Sequence, residues 1–316
     1  MKKILFSLAL AAVTMASQAQ NMFNHLDLGV TLGTTGIGLD AAMPVGNYVK
    51  LRTGLEVMPR FNYDMHFGVE SYGEGGVPSS ASLDRMSEVL YGLTGFKVDQ
   101  DITMKGKPTM WNFKFLVDVY PFKNNKHWHV TAGFHWGPSK IAEAVNAQED
   151  SPSLFAVGMY NHLYDVSYQD WILGEPTPII STQTTGDLYL DPMIEKKIAE
   201  FGRMGIPVGK FDDGTTYYMQ PNENSMVYAD AYVNSFKPYL GIGYEGRLIK
   251  GNDNYKIGFD AGLMFWGGTP DIITHDGTNL TKDVSDINGK VGDYVKFIKG
   301  VKVFPVLNLR ITRRIF

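Results

Sequence analysis

The chain has 316 residues, 44% of them hydrophobic and 13% aromatic, with 34 glycines and no cysteine. The absence of thiols excludes disulfides, cysteine-ligated zinc, thiol catalysis and a lipid-anchored N-terminal cysteine. A formal charge of −4 without a basic cluster argues against nucleic acid, and the length suits one large barrel or two small domains.

The chain opens with the pattern of a secretion signal. Lys2 and Lys3 form a charged region, Ile4 to Met15 an apolar region, and Ser17-Gln18-Ala19 places small residues where a signal peptidase reads. Residues 1–19 are expected to be removed, which leaves a formal charge of −6. The apolar run is too short for a spanning helix, which needs about 20 residues.

Strand patterns follow. In LDLGVTL, Leu26, Leu28, Val30 and Leu32 share one face. Beyond Gly36 the apolar parity changes to Ile37, Leu39, Ala41 and Met43. A two-residue turn at Thr34-Thr35 would pair Leu32 with Ile37 and Val30 with Leu39, although Thr-Thr is poor turn chemistry; a bulge is the alternative. After a turn at Val45 to Tyr48, the stretch Val49 to Pro59 sets Val49, Leu51, Thr53, Leu55 and Val57 against Lys50, Arg52, Gly54, Glu56 and Met58. Charges at every second position do not suit a strand inside a soluble sandwich. They suit the polar interior of a membrane barrel.

Residues 61–109 break the alternation and read as a long loop with one short amphipathic helix, capped by Ser80 and carrying Leu83, Met86, Val89, Leu90 and Leu93. Alternation resumes at Trp111, with Phe113, Phe115, Val117 and Val119 opposing Lys114, Leu116 and Asp118. WHVTAGFHW then places Trp128, Val130, Ala132, Phe134 and Trp136 on one side and His127, His129, Thr131, Gly133 and His135 on the other. Trp128 and Trp136 stand roughly 20 Å apart along a membrane normal, as two interface aromatics would. Residues 138–235 are irregular, with helix starts at Ser151-Pro152 and Asp191-Pro192 and a hairpin tip at Asp213-Gly214. PYLGIGYEGRL and YKIGFDAGLMFW are two further strands. A connection over 267–303, helical near Val291 to Ile298, leads to the last strand, FPVLNLRITRRIF.

This pattern predicts an all-β fold: a closed antiparallel transmembrane β-barrel of about eight strands with long, partly helical extracellular loops at 61–109, 138–235 and 267–303. Short turns alternate with the long connections, which puts the turns and the C-terminus on the periplasmic side. The stretches GTTGIGLDAAMPVGNYVKLRTG, FLVDVYPF, HVTAGFHWG, FKPYLGIGYEG, FDAGLMFWGGTPDI and FPVLNLRITRRIF resemble small outer-membrane barrel proteins of Gram-negative bacteria. The resemblance implies a closed barrel with a terminal aromatic, here Phe316, read by the outer-membrane assembly machinery. It implies no defined activity. Phe316 sits one step out of phase with Leu307, Leu309, Ile311 and Ile315, whereas family members end with the aromatic in phase.

The lumen-facing parity holds Lys50, Arg52, Arg60, Lys114, Lys237, Arg247, Lys256, Arg310 and Arg314 against Asp27, Asp40, Glu56, Asp118, Glu245 and Asp260. An eight-stranded barrel is just wide enough for its own side chains, so these charges read as a lumen-filling network, with Lys50, Arg52, Glu56, Asp118, Glu245, Arg247, Asp260 and Arg310 at its centre. His127, His129 and His135 read as polar lumen residues rather than metal ligands. No serine falls in a strand, and no catalytic constellation, metal site or cofactor site is read. The expected role is binding, adhesion or envelope organisation, with outer-membrane lipid around the wall and an extracellular ligand on loops 61–109 and 138–235. In those loops Phe155, Tyr160, Tyr164, Trp171, Tyr217 and Tyr218 form either a binding surface or the core of a packed cap. The alternatives are a narrow solute or ion channel and a lipid-modifying enzyme.

Overall fold

A computed structural model describes residues 25–72, 87–88, 90–92, 95–173, 178, 180–182, 186–287 and 289–315. The signal segment, most of the helix expected after Ser80, and Phe316 lie outside the described residues. Eight strands close into a barrel: β1 (Asp27–Gly33), β2 (Gly36–Pro44), β3 (Val49–Val57), β4 (Trp111–Val119), β5 (Trp128–Trp136), β6 (Phe236–Ile249), β7 (Asn252–Met264) and β8 (Phe304–Arg314). Each pairs antiparallel with its sequence neighbours, and β1 pairs with β8 from Asp27↔Arg314 to Gly33↔Asn308. Closure leaves no free edge in the wall.

The first hairpin has the register that the parity change predicts, with Leu32↔Ile37 and Val30↔Leu39. Two features offset the poor Thr-Thr turn. Gly36 takes a φ of +108°, which a side chain would disfavour. The Thr34 hydroxyl donates to the Pro305 carbonyl at 2.9 Å and accepts from the Leu307 N–H at 3.0 Å, pinning the turn to β8.

Alternation in every strand now has a spatial meaning. Leu39, Leu55, Phe115, Ile242, Phe259 and Leu309 are exposed on the outer face. Asp40, Arg52, Lys114, Asp118, Asp260 and Arg310 are buried inside. An apolar exterior around a polar interior is the arrangement of a membrane-spanning barrel.

The three long connections are not irregular loops. They build a β-rich cap at one end of the barrel. Its main sheet runs Asp271–Thr274, Tyr228–Tyr232, Lys140–Asn146, Asp101–Pro108, Tyr63–Gly68. These five strands continue β7, β6, β5, β4 and β3 in the same spatial order. Backbone bonds carry the ladder across the join, among them Met58 N to Met110 O, Thr109 N to Ile141 O and Val233 N to Ser139 O, each at 2.9 Å. A second sheet joins Thr216–Met219, Arg203–Lys210 and Glu70–Tyr72. The hairpin between its first two strands turns at Asp213-Gly214, as the sequence suggests.

Helices α1 (Ser151–Leu173), α2 (Pro192–Phe201) and α3 (Gly289–Gly300) complete the cap. α1 runs well past the expected end near Tyr164. Asp191 caps α2 by accepting from the Met193 N–H at 2.8 Å, with Pro192 in the first turn. The cap core gathers Ile102, Met104, Leu154, Tyr160, Ile206 and Tyr217, among others. Tyr160 and Tyr217 are therefore core residues and not a binding surface. The Tyr160 hydroxyl donates to the Gly202 carbonyl at 2.7 Å, which locks α1 to the end of α2. Phe155 is exposed and Tyr164 packs at the edge of the core; the Trp171 side chain lies outside the described residues.

Candidate functional site: a cross-linked lumen beneath a folded cap

The lumen charges form a ladder of ion pairs in three tiers. At the turn end, Lys50 Nζ contacts Asp27 and Glu245, each at 3.0 Å. Lys256 reaches the same two carboxylates at 3.4 Å, and Arg310 Nη2 reaches Glu245 at 3.1 Å. In the middle, Arg52 spans Asp260 at 2.7 Å and Asp118 at 2.9 Å. Thr131 donates to Asp118 at 2.7 Å, and His129 Nε2 lies 3.0 Å from Asp260. Towards the cap, Lys114 joins Glu56 at 2.5 Å and Asp40 at 2.7 Å, and His135 lies 3.5 Å from Glu56.

The ladder ties strands that are distant in sequence. Arg52 on β3 bridges β4 and β7, and Lys50 on β3 bridges β1 and β6. Small residues make room for it. At Gly243, a Cβ would fall 2.6 Å from Asp260 Oδ1 and also collide with the His129 ring. Buried charges like these are costly to strand, because removing one partner leaves the others in low dielectric without compensation.

Above the ladder the lumen turns apolar. Tyr239, Met264 and Val306 point inward and pack with Met110 and Trp266, and the cluster reaches down to Leu116, which lies between Asp118 and Lys114 on β4. The Trp266 indole N–H donates to the Val301 carbonyl at 3.0 Å, just beyond α3, and its ring meets Phe304. Lys237 is fully buried at this level. It donates to Asn112 Oδ1 at 3.2 Å and to the Pro138 and Ser235 carbonyls at 3.4 Å, and so fastens both legs of the longest connection to β4. Ion pairs below and an apolar plug above leave Arg52, Glu56, Lys114, Asp118, His129, Asp260 and Arg310 buried, whereas Lys256 at the turn-end mouth is 24% exposed.

Two arginines do not join the lumen. Arg247 has the right parity but is 60% exposed and pairs with Asp253. β5 pairs with β6 only as far as Tyr244↔Trp128, and the β6–β7 hairpin projects beyond that rim. Arg60 is exposed above the end of β3. His127 precedes β5 and does not share a site with His129. It stacks on the outward Tyr244 ring with centroids 5.4 Å apart, and its Nδ1 lies 2.7 Å from the Glu245 carbonyl. Among the described residues, no three His, Cys, Asp or Glu side chains gather in a way that would hold a metal. Trp128 and Trp136 both face outward at opposite ends of β5.

The cap has its own concavity, of roughly 460 Å³, between Phe67, Ile206, Val208 and Val291, with Asp101, Lys210 and Lys290 around it. Glu70–Tyr72 pairs with the neighbouring strand only from Arg203 to Gly205, and Ser285 bridges it again at Lys210. The groove opens between these contacts. Pro207 in the gap offers no N–H, which guards that edge against strand addition.

No protein-family model and no curated protein sequence matches the chain. Among solved structures it is similar to CarO2 and CarO of Acinetobacter baumannii, at TM-scores of 0.37 and 0.36 and 13% identity each. Both likenesses cover 92% of this chain and 98% of the other. It is also similar to a major outer membrane protein from Thermus thermophilus, at a TM-score of 0.29 and 11% identity over the same shares.

Proposed function

We propose that the protein is an outer-membrane barrel that anchors a folded extracellular cap, and that binding at the cap is its work. The observation that carries this reading is the inversion across the barrel wall: exposed aliphatic and aromatic side chains outside, buried ion pairs inside. Such a wall is stable only where the outside is lipid. The lumen ladder and the plug around Trp266 support an anchor rather than a pore. The signal pattern of residues 1–19 supports export, and the turn end with both termini is then the periplasmic end. Phe316 is the residue proposed for the assembly machinery to read.

The cap connections support a water-facing role. Residues 58–110, 137–235 and 265–303 carry 26 acidic and 15 basic side chains, so a ligand for them is expected to be neutral or cationic. The groove beside Phe67 and Val208 is the proposed place for it. Protease added to intact cells tests the arrangement. Cleavage within the cap, with a carbonate-resistant, heat-modifiable barrel left in the membrane, is expected. A water-soluble periplasmic product would contradict it.

A further inference from the structure

We infer that the outer wall at the turn end holds a specific site for one anionic glycerophospholipid, between the β4–β5 turn and the β5–β6 wall. The inference rests on the membrane reading above. A hollow of roughly 920 Å³ lies there, with Phe122 and Trp128 at its sides and Val130 and Ile242 as its floor. Lys123, Asn124, Asn125 and His129 also line it, and Lys123 and Asn124 come from the exposed β4–β5 turn.

The floor is a cross-strand pair, Ile242↔Val130, and both side chains are exposed on the outer wall. One side is braced: Trp128 packs edge-on against Tyr244 with centroids 5.2 Å apart, and His127 stacks on that same ring. The turn is ordered by the Asn125 N–H bonding to the Phe122 carbonyl at 3.3 Å and by Asn125 Oδ1 accepting from the His127 N–H at 3.1 Å. The hollow thus sets the apolar Phe122, Trp128, Val130 and Ile242 beside one exposed cation, Lys123, at the level where the aliphatic belt gives way to the turns. That sequence of surfaces matches an acyl chain followed by a phosphate.

Charge complementarity selects an anionic lipid. The barrel rim at this end carries Lys123, Lys126, Lys250 and Arg313, with Arg247 already neutralised by Asp253. Lys126 is turned away over the Tyr48 ring, 5.6 Å from its centroid, and lines the lumen mouth instead. Lys123 is the cation at the hollow itself.

The test uses full-length protein in a zwitterionic detergent, with folding checked by heat-modifiable migration. Dioleoylphosphatidylglycerol is titrated in and bound lipid is counted by native mass spectrometry, with dioleoylphosphatidylcholine as the headgroup control. One phosphatidylglycerol retained in preference to phosphatidylcholine is expected. Lys123→Gln should weaken its retention about fivefold, the weight of one basic residue at an anionic surface. Lys250→Gln, on the other turn, should leave it unchanged. Equal retention of the two lipids, no effect of Lys123→Gln, or an equal effect of Lys250→Gln would overturn the site. Protein that stays soluble without detergent would overturn the membrane reading itself, whereas protein that needs detergent but shows no lipid preference overturns only this site.

Discussion

The barrel and the cap solve the same problem with opposite interiors. The barrel packs Arg52, Lys114, Asp118 and Asp260 inside and shows Leu39, Phe259 and Leu309 outside. The cap packs Ile102, Leu154, Met204 and Val227 inside and carries its excess of acidic residues in the same connections. One chain therefore folds against two solvents. The backbone crosses between them without a break, because five barrel strands continue into the cap sheet. The change occurs within a few residues of each strand, around Met58, Met110, Ile141, Val233 and Trp266, where the apolar plug sits.

If that contrast is right, the two halves should fail differently. The largest effect is expected in the lumen. Arg52→Met leaves Asp118 and Asp260 facing each other without their shared cation, at a cost of about 3–5 kcal/mol. The temperature at which the folded band is lost on a gel should fall sharply. In the cap, Leu154→Ala removes a fully buried side chain of α1, at a cost of about 2–5 kcal/mol. Here the outcome is local: protease should cut the cap sooner while the barrel keeps its heat-modifiable migration. Barrel loss in step with the cap would show that the two halves fold as one unit.

The outer wall is the third place to probe. Leu309 sits mid-strand on β8, 44% exposed. Leu309→Arg should cost about 2–4 kcal/mol in a bilayer. Met193→Arg, at an exposed apolar position of the cap, should stay within about 0.5 kcal/mol. Similar costs at both positions would mean that the wall does not meet lipid.

The smallest effect is a pH dependence of the cap alone. Burial raises the Asp276 carboxyl, but hydrogen bonds from Thr274, Thr278 and Tyr217 outweigh it and hold the group below its ordinary range. A depressed carboxyl adds stability above its unfolded value, about 3.9, and that stability disappears as pH falls through the folded value. Cap melting followed from pH 6 down to pH 3 should therefore flatten in Asp276→Asn.

The sequence made the barrel legible because each wall strand faces two sharply different media. Period-two alternation leaves a hairpin or a bulge at Thr34-Thr35, and the hairpin choice carries the β1–β2 register that the structure has. Alternation does not say where a strand leaves the wall, so parity puts Arg247 and His127 inside a lumen that they lie beyond. The length of the β6–β7 hairpin past its neighbours decides that, and it depends on pairing between distant segments. The cap strands are less legible in the sequence for a related reason. They are short, interrupted by Gly106, Pro207 and Gly209, and paired across long separations, as in Met104↔Asn146 and Tyr228↔Val145. A signal was present in DITMKGKP, where Ile102 and Met104 alternate with Asp101, Thr103 and Lys105 and are the residues buried. The plug has no signature in the sequence because Tyr239, Met264 and Trp266 are ordinary strand residues until closure brings them together.

The closed lumen is tested most directly by single-channel recording of the intact protein in a planar bilayer. The expected result is a flat current trace from inserted, folded protein across ordinary voltages and salt. Stepwise openings with the cap uncut would contradict it, and would make the ladder of Arg52, Lys114 and Arg310 the lining of a pore.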